Sequence, residues 1–189
     1  MVNKLTILSV LEPLLYAQDP IHLADISRKL KTPHTTLRLH LNKLEKIGII
    51  IKQTKGRLTM YRLNYDNPLT EDFMQLAEKW KLVSKCQKEL VLKEIVQFAH
   101  ENLSGNKAII FGSAAEDFKK ANDVDLLIVG DQNPKDKLRL LEKRLNIEFH
   151  IISIKDLSEI SQVLKKEITT KHIIINNTEE FTRWMLKND

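Results

Sequence analysis

The segment IIFGSAAEDFKKANDVDLLIVG, residues 109–130, holds two apolar runs of the kind that form buried strands, and polar residues punctuate each of them. The first run, which begins at Lys107 as KAIIF, stops at Gly112-Ser113, where the chain turns into a short helix. The second opens with Asp123-Val124-Asp125 and continues LLIVG. On a strand, residues i and i+2 share a face. Asp123 and Asp125 therefore project together, while Val124 and Leu126 point into the core. Two like charges so close repel unless something neutralises them. A divalent cation does so, and oxygen ligands suit Mg²⁺. The Gly-Ser turn before a helix offers backbone N–H groups and a hydroxyl to a phosphate, and glycine permits close approach of the backbone.

The segments that follow extend the pattern. Lys135 to Leu145 has helical spacing, and NIEFHIIS is the next strand candidate. Glu148 and His150 lie on one face of that strand. The end of the chain, KHIIINNTEEFTRWMLKND, reads as a strand and a helix, with Trp184 in packing. A phosphate cradle beside metal-binding carboxylates is the inventory of nucleotidyl transfer, in which two metals steady the attacking and leaving oxygens. Gly112-Ser113, nine intervening residues and then Asp123-Val124-Asp125 resemble the nucleotidyltransferase superfamily typified by DNA polymerase beta, in its minimal form. The resemblance implies catalytic and metal-ligating roles for Asp123, Asp125 and Glu148, with Glu148 as the third carboxylate. It implies phosphate binding by Gly112 and Ser113, with Mg²⁺ as cofactor if the domain is active. The chain departs from the family pattern in two places. Ala114-Ala115-Glu116-Asp117 stands where many members have an Arg-Gly, and Asn122-Asp123 where they have Ser-Asp. Glu116 and Asp117 add negative charge near the expected phosphate. Lys119 and Lys120 read as solvated.

Working toward the N-terminus, residues 69–103 have helical spacing and no Gly or Pro. They read as one long or two consecutive helices ending near Ser104-Gly105, with Phe73, Leu76, Trp80, Val83, Leu90, Ile95 and Phe98 as apolar positions. Ahead of them, three helical patterns follow one another: Leu5 to Leu14, a break at Asp19-Pro20, Leu23 to Leu30, and then a helix opening at KTPHTTLRLHL. Thr32 suits the cap of that third helix, Pro33 its first turn and Gly48 its end. Ile49 to Gln53, a turn at Thr54 to Arg57 and LTMYRLN then read as a hairpin. Three short helices and a basic hairpin resemble a winged helix-turn-helix domain. Its second reading helix lies in the major groove, where base edges present distinct donor and acceptor patterns. With Leu37, Leu41 and Leu44 facing the core, His34, Thr35, Arg38 and Asn42 lie on the outer side. Lys52, Lys55 and Arg57 place positive charge on the wing, beside phosphates.

Charge distribution agrees with a nucleic-acid partner. The net +5 is concentrated in residues 1–66, which hold 11 Lys+Arg against 5 Asp+Glu. Residues 67–103 hold 5 against 6, and residues 104–189 hold 14 of each. A basic module joined to a neutral one is the electrostatic footprint of a DNA-binding domain. The lone cysteine, Cys86, forms no internal disulfide, and no apolar run approaches the roughly 18 residues of a membrane span, so a cytoplasmic location is expected. The N-terminal apolar stretch lacks a cleavage pattern and is not read as a signal peptide.

The expected architecture is α+β. It comprises a winged helix over 1–66, a helical connector over 67–103, and an α/β nucleotidyltransferase-like domain with a mixed sheet over 104–189, in an archaeal-type arrangement. Two functions follow. One is a DNA-binding transcriptional regulator whose C-terminal domain binds nucleoside triphosphate and Mg²⁺, or descends from one that did. The other is an active nucleotidyltransferase that modifies a protein or other acceptor, with the winged helix as partner-binding or dimerisation module. Expected partners are double-stranded DNA, nucleoside triphosphate, a protein acceptor in the second case, and a second copy of the chain.

Overall fold

A computed structural model of the chain describes residues 5–103, 105–121, 123–131 and 135–187, without the side chains of Lys55 and Lys135. It divides into two compact units, residues 1–81 and 82–189. Ser104 and Asn122, both used in the sequence reading, lie outside the described residues.

In the first unit, α1 (Ile7–Leu11) gives way at Pro13 to a 3-10 turn (Glu12–Leu14), so the first helical pattern forms two pieces. Thr6 caps α1 through a reciprocal box with Ser9. A two-residue strand β1 (Ile21–His22) precedes α2 (Leu23–Leu30) and α3 (His34–Lys46). Leu37, Leu41 and Leu44 are fully buried on α3, and Val10, Leu11, Leu14 and Ile26 are buried with them. Burial on this scale stabilises by roughly 1.5–3 kcal/mol per large apolar side chain. The expected cap does not form. Pro33 occupies the N-cap of α3 with no side-chain bond, because the Thr32 hydroxyl is spent on the Leu30 carbonyl at 2.9 Å. At the other end Gly48 takes φ +76°, and the Ile49 amide donates to the Leu44 carbonyl at 2.9 Å, as a left-handed helix stop requires.

The hairpin β2 (Ile50–Lys55) and β3 (Leu58–Leu63) closes through Gly56-Arg57, with Gly56 at φ +62°. The described residues form an antiparallel sheet in the order β1-β3-β2. Tyr61 and Leu63 point inward, while Lys52 and Arg57 are exposed. The 69–103 segment forms two helices, α4 (Thr70–Cys86) and α5 (Leu90–Asn102), and the unit division falls within α4.

The second unit is built on a mixed sheet, ordered β6-β5-β4-β7 among the described residues. Strand β4 (Lys107–Phe111) leads through α6 (Gly112–Glu116) to β5 (Asp123–Val129). Helix α7 (Lys135–Leu145) crosses to β6 (Glu148–Ile154), parallel to β5. A 3-10 turn (Leu157–Glu159), α8 (Gln162–Thr170), β7 (His172–Ile174) and α9 (Thr178–Leu186) complete it. Strand β4 pairs antiparallel with both β5 and β7. Ala108, Ile110, Val124, Leu126, Ile128 and Phe149 face a core shared with Ile95 and Phe98 of α5 and Leu138 and Leu141 of α7. Ile109, Leu127, Val129 and Ile174 project from the opposite face by strand alternation and are equally buried. A sheet buried on both faces explains why its central strands read as continuous apolar runs. The fold class is α+β, as expected.

The stripe on α3 makes a direct test. Leu41→Ala is expected to cost about 2–5 kcal/mol in urea unfolding followed by circular dichroism. Asn42→Ala, on the outer face beside it, is expected to stay within about 0.5 kcal/mol of wild type.

Candidate functional site

Register brings the candidate residues of the second unit together. In the parallel β5–β6 ladder Asp123 is paired with Glu148 and Asp125 with His150. The four side chains therefore share one face at one end of the sheet. The His150 Nδ1 atom lies 3.2 Å from Asp123 Oδ2 and 3.5 Å from Asp125 Oδ1, and its Nε2 atom lies 3.7 Å from Glu148 Oε1. Asp125 is the best protected of the carboxylates, with 28% of its side chain exposed, against 73% for Glu148. The imidazole thus stands among three carboxylates.

Gly112 is the second element of the site. It has φ +71°, and a Cβ built on it would sit 2.5 Å from Asp125 Oδ2. A side chain at 112 therefore forces the carboxylate to move. The antiparallel pair Phe111↔Asp125 sets this closeness, since it puts the residue after Phe111 directly against Asp125. Helix α6 starts there with no side-chain cap, and Ser113 is exposed at its first turn. At its far end, Lys85 Nζ donates to the carbonyls of Ala115 at 2.8 Å and Glu116 at 3.3 Å. These are terminal carbonyls that a five-residue helix cannot satisfy internally.

Beside the turn lies an open cleft of about 920 Å³, lined by Gly112, Ser113, Glu116, Lys120, Lys166 and Lys171 among others. The cleft does not reach Asp123, Glu148 or His150, and it meets the carboxylate cluster only through Gly112. The two acids that depart from the family pattern are each matched by a lysine. Glu116 Oε2 is 2.6 Å from Lys171 Nζ, and Asp117 Oδ2 is 3.6 Å from Lys120 Nζ. The hydrogen bond from Lys171, then its charge, hold the Glu116 carboxyl below its usual range. A depressed folded-state pKa means the pair helps stability above the ordinary glutamate range and loses that help as pH falls below it. Lys166 and Lys171 were not singled out from sequence. They lie more than fifty residues beyond Gly112, and nothing local marks them.

The donor chemistry fits a divalent cation. Asp123 and Asp125 supply hard oxygens on one face, and the missing Cβ of Gly112 leaves Asp125 room to face it. Glu148 is the nearest further oxygen donor by register. Among the described residues no three His, Cys, Asp or Glu side chains are already gathered as a metal site, because the oxygens surround the imidazole and not a common point.

In the first unit, His34, Thr35, Arg38 and Asn42 all lie exposed along α3, opposite the buried leucines, and Leu39 on that side is 65% exposed. Lys52 and Arg57 are exposed on the hairpin, and the Lys55 side chain lies outside the described atoms. Among the described residues no helix is long and apolar enough to cross a membrane.

Comparison with known proteins bears on the second unit. Residues 93–181 match the family model described as polymerase beta, nucleotidyltransferase. No curated protein matches the chain. Among solved structures, the chain is similar to AF1382 from Archaeoglobus fulgidus, with 19% identity, a TM-score of 0.36, and coverage of 47% of this chain and 93% of that one. It is also similar to TrmBL2, an archaeal chromatin protein whose structure shows a novel mode of DNA binding, with 18% identity, a TM-score of 0.28, and coverage of 89% of this chain and 72% of that one. The C-terminal half carries a nucleotidyltransferase-type domain.

The contact between residues 112 and 125 can be measured. Gly112→Ala is expected to lower stability by about 1–3 kcal/mol, from backbone strain and the clash with the carboxylate. In Gly112→Ala/Asp125→Ala the clash is gone and the strain remains. A double-mutant cycle by thermal or urea unfolding is therefore expected to show coupling well above about 0.5 kcal/mol.

Proposed function

We propose that the chain is a DNA-binding transcription regulator whose C-terminal nucleotidyltransferase-type domain binds a nucleoside triphosphate with Mg²⁺. The observation that carries the DNA half is the polar row on α3. His34, Thr35, Arg38 and Asn42 are exposed together on a helix whose other face is anchored by three fully buried leucines. They sit in the third of the chain that carries the excess positive charge. Hydrogen-bonding side chains on a rigid helix suit base edges, and Lys52, Lys55 and Arg57 on the hairpin suit phosphates. For the nucleotide half, Ser113 and the uncapped start of α6 face a cleft with Lys120, Lys166 and Lys171, which supplies positive charge for a polyphosphate. Asp123 and Asp125, with Glu148 as the third carboxylate, would hold the metal, which supplies charge neutralisation at the phosphates.

A second reading is favoured by Asp125 held against Gly112 with Asp123 on the same strand face: an active transferase that moves a nucleoside monophosphate to a protein or other acceptor. Incubation with labelled triphosphate and Mg²⁺ separates the readings. Labelling of an acceptor that disappears in Asp123→Ala and Asp125→Ala supports the transferase, and labelling unchanged in both rejects it.

The regulator reading has its own test in fluorescence anisotropy with duplex DNA. Affinity is expected to fall linearly with the logarithm of salt concentration, with a slope smaller by about one in Lys52→Ala. Arg38→Ala is expected to weaken binding about tenfold. Absence of salt-dependent affinity for any duplex ends the DNA half. Nucleoside triphosphate with Mg²⁺ is expected to raise the melting temperature of wild type and not of Asp125→Asn.

A further inference from the structure

Helix α4 carries two stripes. Thr70, Met74, Ala77, Glu78 and Lys81 form the buried one. The other is apolar and open: Leu69, Phe73, Leu76 and Trp80, spaced four, three and four residues apart. Leu69 belongs to it because its carbonyl accepts from the Phe73 amide at 3.1 Å, the first bond of the helix. Leu69 is 53% exposed and Leu76 48%, with Phe73 and Trp80 partly exposed between them. Single exposed apolar residues are ordinary, but four in one line are not. Alternation of three and four is the 3.5-residue repeat that keeps one seam facing a second helix.

The residues flanking the seam identify that helix. Asp72 and Lys79 precede Phe73 and Trp80, both are exposed, and among the described residues neither makes an ion pair. The other flank, Thr70, Ala77 and Ser84, has no charge. A parallel pair would set the charged flank against the uncharged one and leave Asp72 and Lys79 unmatched. An antiparallel pair sets the charged flank against itself. With the two-fold axis between residues 74 and 75, Leu69 meets Trp80 of the second copy, Phe73 meets its Leu76, and each Asp72 lies near the other copy's Lys79. Opposite charges disposed about the centre of an apolar seam are self-complementary, as a two-fold interface demands.

We propose that this seam of α4 joins two copies of the chain in an antiparallel helix pair. The proposal is independent of what the nucleotidyltransferase-type domain binds. Sedimentation equilibrium of the full chain tests it. Wild type is expected to dimerise. Asp72→Lys alone, and Lys79→Asp alone, are each expected to weaken the dimer about tenfold, since two attractions become two repulsions. Mixing the two variants in equal amounts is expected to restore association as a heterodimer, because all four flanking charges are then matched. Leu76→Glu is expected to give a monomer that melts as wild type does when diluted below its dissociation constant. A wild type that is monomeric at every reachable concentration overturns the proposal. So does a dimer indifferent to Asp72→Lys, a failure of the mixture to associate, or a Leu76→Glu monomer that melts early, which would mean that this chain itself covers the seam.

Discussion

The arrangement of the second unit depends on one steric constraint, the absence of a side chain at residue 112. Strand β4 must end against Asp125 because Phe111 is its register partner. The chain then turns in a left-handed conformation with the Asp125 carboxylate occupying the space a Cβ would fill. That single contact couples the Gly-Ser turn to the Asp-x-Asp strand, two features eleven residues apart that otherwise have separate explanations. The parallel ladder with β6 then brings Glu148 and His150 alongside. Glycine takes this conformation without strain, and the strands that fix it are buried on both faces, with Ile110, Leu126 and Ile128 on one side and Ile109 and Leu127 on the other.

Much of this was legible because it rests on local pattern. Strict apolar runs placed β4 and β5, and period two put Asp123 and Asp125 on one face. The leucine stripe placed α3, and Gly48 its end. What was not legible depends on contacts distant in sequence. The two-residue strand β1 exists only because Ile21 and His22 find Tyr61 and Met60. Helix α8 has weak apolar patterning, since Val163 is 81% exposed and the buried positions include Lys165. That lysine buries its stem and satisfies its ammonium at the Lys187 carbonyl, 2.7 Å away, close to the Trp184 ring. The failed cap at Thr32 has the same lesson at short range. The residue type was right for a cap, but its hydroxyl had a nearer acceptor.

The departure from the family pattern after Gly112-Ser113 takes on a different meaning with the lysines in view. In sequence, Glu116 and Asp117 look like repulsive charge beside a phosphate turn. In the fold, Lys171 and Lys120 answer them, and the carbonyls at the end of α6 are held by Lys85. The charge at the cleft is therefore set by segments before and after the motif, from α4 to the end of α8, and not by the motif alone. A polyphosphate entering there would compete with Glu116 for Lys171. The displaced Glu116 carboxylate would then stand unpaired in the cleft lining beside the incoming anion, a repulsion that binding has to overcome.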